Sequence, residues 1–199
     1  MKKWKNWQIV AFTALCLGLN IGGRMLASWL KLPLWLDSLG TALSAYVAGP
    51  VVGAMVGMTS NLSYGAVNFL PIVYSITGVA LGFIVGFAAR HRWFEQFYGF
   101  MKAASLVMLV AMAVSVPLNF IFVQGYTGNV WGDAVMNYLL DKEWPKAICG
   151  VLGQLLIEFP DKLITVAVVY LLVLSRSWRE NRDDDAGLRR GAMAVLLAA

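Results

Sequence analysis

Long apolar runs recur along this chain, and they restrict its fold more than any other feature of the sequence. Hydrophobic residues make up 59% of the 199 residues and charged residues only 14%, whereas an ordinary soluble domain carries about 25% charged residues. An apolar helix of about 20 residues crosses a hydrocarbon core roughly 30 Å thick, and it satisfies its own backbone hydrogen bonds there. We therefore expect an all-α integral membrane protein.

The apolar runs predict a six-transmembrane-helix bundle. The predicted spans cover residues 7–27, 36–48, 51–64, 72–89, 103–123 and 147–174. The second span is too short to cross a bilayer alone, because a helix rises only about 1.5 Å per residue. The connection over 124–145 favours a short surface helix. These spans define a membrane domain over 1–175 and a charged tail over 176–199, for which the sequence indicates no role.

The distribution of Lys and Arg predicts that both termini are cytoplasmic. With the amino terminus inside, four Lys and Arg residues fall on the outer side and eleven in cytoplasmic segments, as the positive-inside rule requires. The formal net charge of +5 is explained in this way, and we expect no nucleic-acid partner. The eleven are Lys2, Lys3, Lys5, Arg90, Arg92, Lys102, Arg176, Arg179, Arg182, Arg189 and Arg190.

A polar stripe runs through the last predicted span. Gln154, Glu158, Asp161 and Thr165 follow one another at helical spacings of four, three and four residues, and Lys162 lies four residues after Glu158. Ionisable side chains inside a bilayer face a bundle interior or a water-filled cavity, so the stripe predicts a polar site. Two structural interpretations remain open: a plain i,i+4 ion pair, or polar groups that repair the hydrogen bond lost at a proline within the span.

Further polar and aromatic residues lie toward the outer ends of the other predicted spans, where they would converge on one pocket. Two of them have structural alternatives, since Asp37 could cap the second helix and Arg24 could reach the headgroups. The inner charges sum to −1, which favours a neutral or cationic ligand, and the aromatic rings favour a flat polar heterocycle. The predicted substrate-binding residues are Asn20, Arg24, Trp35, Asp37, Asn61, Tyr64, Tyr74, Asn119, Gln154, Glu158, Asp161 and Lys162.

Catalytic and metal-site motifs are missing from the sequence. There is no HExxH, GxSxG or P-loop pattern, and Cys16 and Cys149 are isolated residues with no CxxC partner. We therefore expect no enzymatic activity, no cofactor and no metal site, and any energised transport must use a partner's ATPase or an ion gradient.

Small residues recur at every fourth position on three of the predicted spans. Such ridges let helix backbones approach closely in a membrane, either for internal packing or for docking another membrane subunit. The first span is the best candidate for docking. The ridges are Ala14, Gly18 and Gly22; Gly49, Gly53 and Gly57; and Gly78, Gly82 and Gly86.

Four segments resemble the substrate-binding, or S, components of energy-coupling factor (ECF) transporters. They are LDSLGT at 36–41, VAGPVVGA at 47–54, TSNL at 59–62 and EFPDK at 158–162. The resemblance implies a multi-pass protein of a prokaryotic cell membrane that binds a vitamin or related micronutrient from outside. It also implies docking to a transmembrane coupling subunit that carries two ATPase subunits. The small residues that would contact the coupling subunit are Ala11, Ala14, Gly18 and Gly22.

Two other functions fit the same residues. A membrane ligand sensor would bind a small molecule in a similar pocket and pass a signal to a separate cytoplasmic protein. A stand-alone transporter would use Glu158 and Asp161 as proton or ion sites. An intramembrane enzyme is the weakest interpretation, because no predicted span supplies a histidine base or a metal site.

Overall fold

The computed structural model describes residues 6–65 and 69–175, and all regular secondary structure within them is helical, which confirms the all-α prediction. The predicted tail at 176–199 and the amino-terminal lysines lie outside the described residues. The helices are α1 (Asn6–Trp29), α2 (Leu39–Ala48), α3 (Pro50–Gly65), α4 (Leu70–Val73), α5 (Ser75–Arg90), α6 (Phe97–Val123), α7 (Val130–Leu140) and α8 (Lys146–Leu174), with a 3-10 turn at Trp93–Glu95 before α6.

Three segments are long and apolar enough to cross a membrane by length and composition: Trp7–Trp29, Leu70–Arg90 and Phe97–Val123. Helix α2 is apolar but shorter. Helix α8 has 29 residues, so it extends roughly 44 Å, and the polar stripe lies within it. These helices have the character of a membrane protein, as the composition predicts.

Two regions differ in detail from the predicted spans. The fourth predicted span consists of two helices, α4 and α5, which meet at Tyr74. The connection after α6 holds α7, whose first turn is capped by the Asn129 side chain accepting from the backbone nitrogen of Trp131 at 3.0 Å. Helix α7 packs along α8 through buried Gly132 and Met136.

The glycine ridges of α3 and α5 pack against each other. A Cβ atom built on Gly57 would lie 2.5 Å from the carbonyl oxygen of Gly78, and one built on Gly78 would lie 2.7 Å from that of Gly57. A side chain on Gly82 would meet the backbone of Ala54. The glycines within α3 and α5 therefore serve internal packing, which lets the two helices approach at backbone distance where lipid provides no hydrophobic drive. Gly49 differs, because it ends α2 with a positive φ of 99° and a Cβ atom added there would meet nothing within 4 Å.

Helix α8 takes part in both the apolar core and the polar interior. Its later turns contribute Val166, Val169 and Val173 to a buried cluster that also contains Val85 and Phe94. Its earlier turns carry the stripe, which is buried from Gln154 to Thr165. The polar groups of α8 thus face other helices rather than lipid, as the cost of charge in a bilayer requires.

Candidate ligand pocket

A cavity of about 220 Å³ lies between the helices beside the early turns of α8. Its volume suits a small molecule rather than a macromolecular segment. Helices α1 to α6, α8 and the loops before α2 and α7 all contribute to its wall. The lining residues are Arg24, Trp35, Asp37, Ser38, Thr41, Asn61, Leu70, Pro71, Tyr74, Thr77, Gly78, Leu81, Ser115, Asn119, Val123, Thr127, Gly128, Gln154, Glu158 and Lys162.

The structure brings nine of the twelve predicted binding residues to this one cavity. The other three, Asn20, Tyr64 and Asp161, do not line it. Two other tryptophans near the outer ends of the predicted spans, Trp29 and Trp131, are exposed and also lie outside the lining. The nine lining residues are Arg24, Trp35, Asp37, Asn61, Tyr74, Asn119, Gln154, Glu158 and Lys162.

A chain of hydrogen bonds crosses the cavity wall and ends on Glu158. The hydroxyl of Tyr74 donates to Oδ1 of Asn119, the amide of Asn119 donates to Oε1 of Gln154 at 2.8 Å, and the amide of Gln154 donates to Oε1 of Glu158 at 2.9 Å. A carboxylate can only accept, so Gln154 must present its amide nitrogen to it. That requirement fixes the orientation of both amides and leaves Tyr74 as the donor at the far end.

Lys162 is buried among three polar partners. Its ammonium donates to Oδ2 of Asp161 and to Oγ of Ser38 at 3.2 Å, and it lies 3.1 Å from Oε2 of Glu158. Only 3% of the residue is exposed. A buried charge is tolerated when it is paired and hydrogen-bonded, and these contacts provide both. The i,i+4 ion pair, which the sequence left open as a structural interpretation, is therefore present within a larger cluster.

Asp161 holds the segment that precedes α2. Its Oδ1 accepts from the backbone nitrogens of Trp35 at 3.1 Å and Leu36 at 2.7 Å, while its Oδ2 pairs with Lys162. Leu36 has a positive φ of 54°, a conformation that a non-glycine residue adopts at a steric cost. Asp161 thus stabilises the turn that directs Trp35 to the cavity wall, and it acts on the cavity through its neighbours.

Arg24 lies in a looser environment on another side of the cavity. Its Nη1 is 3.8 Å from Oδ2 of Asp37 and 3.5 Å from Oδ1 of Asn61. The guanidinium lies 4.4 Å from the ring centroid of Tyr64, a cation–π distance. Tyr64 in turn donates to a backbone carbonyl of α1 at 2.6 Å. Tyr64 therefore packs against the guanidinium of Arg24 and is held to α1, so Tyr64 lies near the cavity without lining it.

Asn20 joins three helices at a fully buried position. Its amide donates to Oγ1 of Thr41 in α2 at 2.8 Å and to Oγ of Ser60 in α3 at 2.9 Å. Its Oδ1 accepts from the backbone nitrogens of Gly40 at 2.6 Å and Thr41 at 3.3 Å. Those are free donors of the first turn of α2, so Asn20 of α1 caps α2 from another helix. All of its hydrogen-bonding capacity is directed to protein groups.

The capping alternative for Asp37 is not what the structure shows. The residue before α2 is Ser38, and its side chain makes no capping hydrogen bond to the helix. Asp37 instead accepts from the hydroxyl of Ser38 at 3.0 Å and pairs with Arg24. Both of its contacts are with residues that line the cavity, so Asp37 belongs to the cavity wall.

Several residues that line the cavity are not predicted from the sequence. The polar ones include Thr77 in α5, Ser115 in α6 and Thr127, whose loop is held by Oδ1 of Asp133 accepting from its backbone nitrogen at 2.7 Å. Ser and Thr are common on transmembrane helices, and the spacing of these residues in the sequence does not identify them as lining a cavity. The apolar wall comprises Leu70, Pro71, Leu81 and Val123. Within the part of the chain that the structure describes, no group of three His, Cys, Asp or Glu side chains could hold a metal ion.

The predicted docking residues form an unoccupied stripe on α1. Ala11, Ala14, Gly18 and Gly22 are all exposed, and Cβ atoms added at Gly18 and Gly22 would meet nothing within 4 Å. The buried face of α1, which includes Asn20, lies on the opposite side of the helix. The α1 ridge therefore differs from the two glycine ridges that pack internally.

The arrangement as a whole is a polar cavity with hydrogen-bonded amides, a paired carboxylate and a paired guanidinium inside an apolar helical protein. No family model matches the chain, and neither the curated proteins nor the solved structures give a significant match.

Proposed function

We propose that this protein is the substrate-specific membrane subunit of an ECF-type transporter. In this role it binds a vitamin or related micronutrient in the cavity and performs no catalysis itself. The observation that carries the proposal is the 220 Å³ cavity, whose buried amides and charges are held in fixed orientations within an otherwise apolar protein. Such a site has a recognition function by default, since polar groups are retained in a membrane interior at considerable cost.

The proposal includes a topology. Helices α1, α2, α3, α4 with α5, α6 and α8 are the six spans, both termini are cytoplasmic, and the cavity opens to the outside. The imbalance of Lys and Arg between the two sides supports this orientation. The cell membrane of a prokaryote is the proposed location.

The proposal also includes a partner. The exposed stripe of Ala11, Ala14, Gly18 and Gly22 supports docking to a transmembrane coupling subunit that carries two ATPases, because small residues let a second helix approach closely. The resemblance of four segments to ECF S components points to the same partner. Energy for uptake then comes from ATP hydrolysed by the partner subunits.

Affinity purification from native membranes tests the partner. We expect the tagged wild-type protein to retain a membrane subunit and two ATPases in mild detergent, and Gly18→Trp to lose them because an indole would hold the partner helix away. Leu19→Trp is the matched control, since Leu19 is also exposed but lies about 100° around the helix. Absence of any ATPase from the wild-type sample would contradict the transporter proposal, whereas retention by Gly18→Trp would contradict only the docking stripe.

A stand-alone proton- or ion-coupled transporter is the second candidate. The observation in its favour is that Glu158 is a buried acidic residue that lines the cavity. Uptake by the protein alone in vesicles without ATP, abolished by an ionophore, would favour this candidate over the first.

A further inference from the structure

The connection between α5 and α6 is rich in basic and aromatic side chains. Three basic residues, Arg90, Arg92 and Lys102, and one acidic residue, Glu95, leave a net charge of +2 over residues 90–102, with histidine neutral. We propose that this connection binds the headgroup of an anionic phospholipid, whose phosphate contacts Lys102 while the two arginines add to the positive field. The inference concerns the membrane that surrounds the protein, so it does not depend on what the cavity binds.

The connection joins two segments that are long and apolar enough to cross a membrane, Leu70–Arg90 and Phe97–Val123, and only residues 91–96 lie between them. A connection this short keeps its side chains close to the headgroup layer of the bilayer. Phe94, in the middle of the connection, is 1% exposed and packs into the main apolar cluster. The connection is therefore tied to the helices and presents a fixed surface at one face of the membrane.

Lys102 is positioned by two aromatic rings. Its Nζ lies 5.0 Å from the ring centroid of Trp93 and 5.4 Å from that of Tyr98, and both are cation–π distances. Lys102 is exposed, and among the described residues no carboxylate forms an ion pair with it. Arg92, in contrast, pairs with Glu95 at 3.6 Å. Lys102 is therefore the cation of this surface that is both held in place and uncompensated by a carboxylate.

Aromatic side chains continue from Lys102 to the last turn of α5. The ring of Phe87 lies 4.0 Å from that of His91 and 5.7 Å from that of Trp93, measured between centroids. At the start of α6, Phe97 and Tyr98 are 66% and 73% exposed. Aromatic rings are enriched where a protein meets the membrane–water interface. These rings would therefore contact the upper part of the lipid whose phosphate Lys102 holds.

The connection between α7 and α8 has similar residue types without the excess of positive charge. Asp141, Lys142, Glu143 and Lys146 are all exposed there, and two acidic residues with two basic ones leave no net charge. Lys142 also lies over a ring, 5.9 Å from the centroid of Tyr138. Basic side chains beside a membrane attract anionic lipids, whereas the ammonium of a zwitterionic headgroup offsets that attraction. The charge of the α5–α6 connection therefore favours an anionic headgroup.

Native mass spectrometry of the full-length protein in detergent tests this inference. The protein is titrated with dioleoylphosphatidylglycerol, which is anionic, and with dioleoylphosphatidylcholine, which has the same acyl chains and a zwitterionic headgroup. We expect the wild type to bind phosphatidylglycerol more tightly. Lys102→Met should weaken phosphatidylglycerol by about fivefold, because one basic contact near the membrane surface is lost, and should leave phosphatidylcholine unchanged. Lys102→Arg keeps the charge and should bind as the wild type does, as should the matched control Lys142→Met.

Three lipid-binding results would overturn the inference: equal affinity of the wild type for the two lipids, unchanged phosphatidylglycerol affinity in Lys102→Met, or an equal loss in Lys142→Met. Glycerol 1-phosphate carries the phosphate without acyl chains. Displacement of the lipid by an equal concentration of it would show a site for soluble phosphates and would also overturn the inference. If Lys102→Met does not fold, Arg90→Gln replaces it, since Arg90 is exposed and its loss should also weaken phosphatidylglycerol.

Co-purification of the same variants separates a lipid surface from a protein surface. We expect Lys102→Met to retain the partner subunits that the wild type retains. Loss of those subunits with unchanged phosphatidylglycerol affinity would show that a protein covers this surface, and would overturn the inference. A wild-type protein that retains its ATPases and binds both lipids equally would also overturn it and leave the transporter proposal standing.

Discussion

Replacing Asn20 with alanine should destabilise the protein substantially, although the sequence places this residue among the ligand contacts. Its side chain is fully buried and bonds to groups of α1's two neighbours, α2 and α3. Alanine would leave the backbone nitrogens of Gly40 and Thr41 without an acceptor and would remove two side-chain hydrogen bonds. The first turn of α2 would then be uncapped in a site closed to solvent.

The magnitude follows from these four contacts. Each buried donor left without a partner costs about 1–3 kcal/mol, and each side-chain pair in a membrane protein contributes about 0.6 kcal/mol. Taking the lower value for both backbone nitrogens, Asn20→Ala should cost roughly 3 kcal/mol. For a soluble domain of this size such a loss lowers the melting temperature by about 6–12 °C, and we expect a shift in that range.

The chain carries a reporter for this measurement. Its two cysteines, Cys16 and Cys149, are both buried, so a thiol-reactive maleimide fluorophore reports unfolding on heating. Ser63→Ala is the control, because Ser63 is exposed and its hydroxyl bonds only to its own helix, at 2.8 Å. A melting temperature of Asn20→Ala equal to that of Ser63→Ala would refute the reasoning.

The remaining predictions concern packing and buried charge. Gly57→Ala should destabilise the protein by about 1–3 kcal/mol, because the new methyl group overlaps the backbone of Gly78. The control is Gly18→Ala, whose methyl group meets nothing within 4 Å and should leave the melting temperature unchanged. Equal shifts in melting temperature for the two variants would contradict the packing of α3 on α5. Lys162→Met should cost about 3–5 kcal/mol, because it leaves Glu158 charged and buried without its cation. The double variant with Glu158→Gln should recover part of that loss in a double-mutant cycle, and strictly additive losses would show that the pair is not coupled.

Hydrophobic patterning was sufficient to predict the helical class and most helix positions. Apolar runs interrupted by Gly and Pro correspond closely to α1, α3, α6 and α8, because a helix satisfies its own backbone and depends little on what surrounds it. The break at Tyr74 was not predicted, since no residue in the apolar run over 72–89 requires it.

The polar stripe of α8 shows what helical spacing in a sequence can predict and what it cannot. Spacings of three and four residues place Gln154, Glu158 and Asp161 along one face, and the cost of charge in lipid turns that face inward. Local physics therefore determined that α8 carries a polar interior face. Which helices meet that face depends on contacts between residues far apart in the chain, and spacing within one helix contains no information about them.

The sequence by itself determined an all-α membrane protein with buried charge in its last long helix and nine of the residues that line the cavity. Only the tertiary structure decided what each polar residue does. Asn20 caps α2 and Asp161 holds the turn before it, whereas Thr77 faces the cavity. The physical reason is that a hydrogen bond depends on distance and direction to one particular partner, and those are set only when the helices pack.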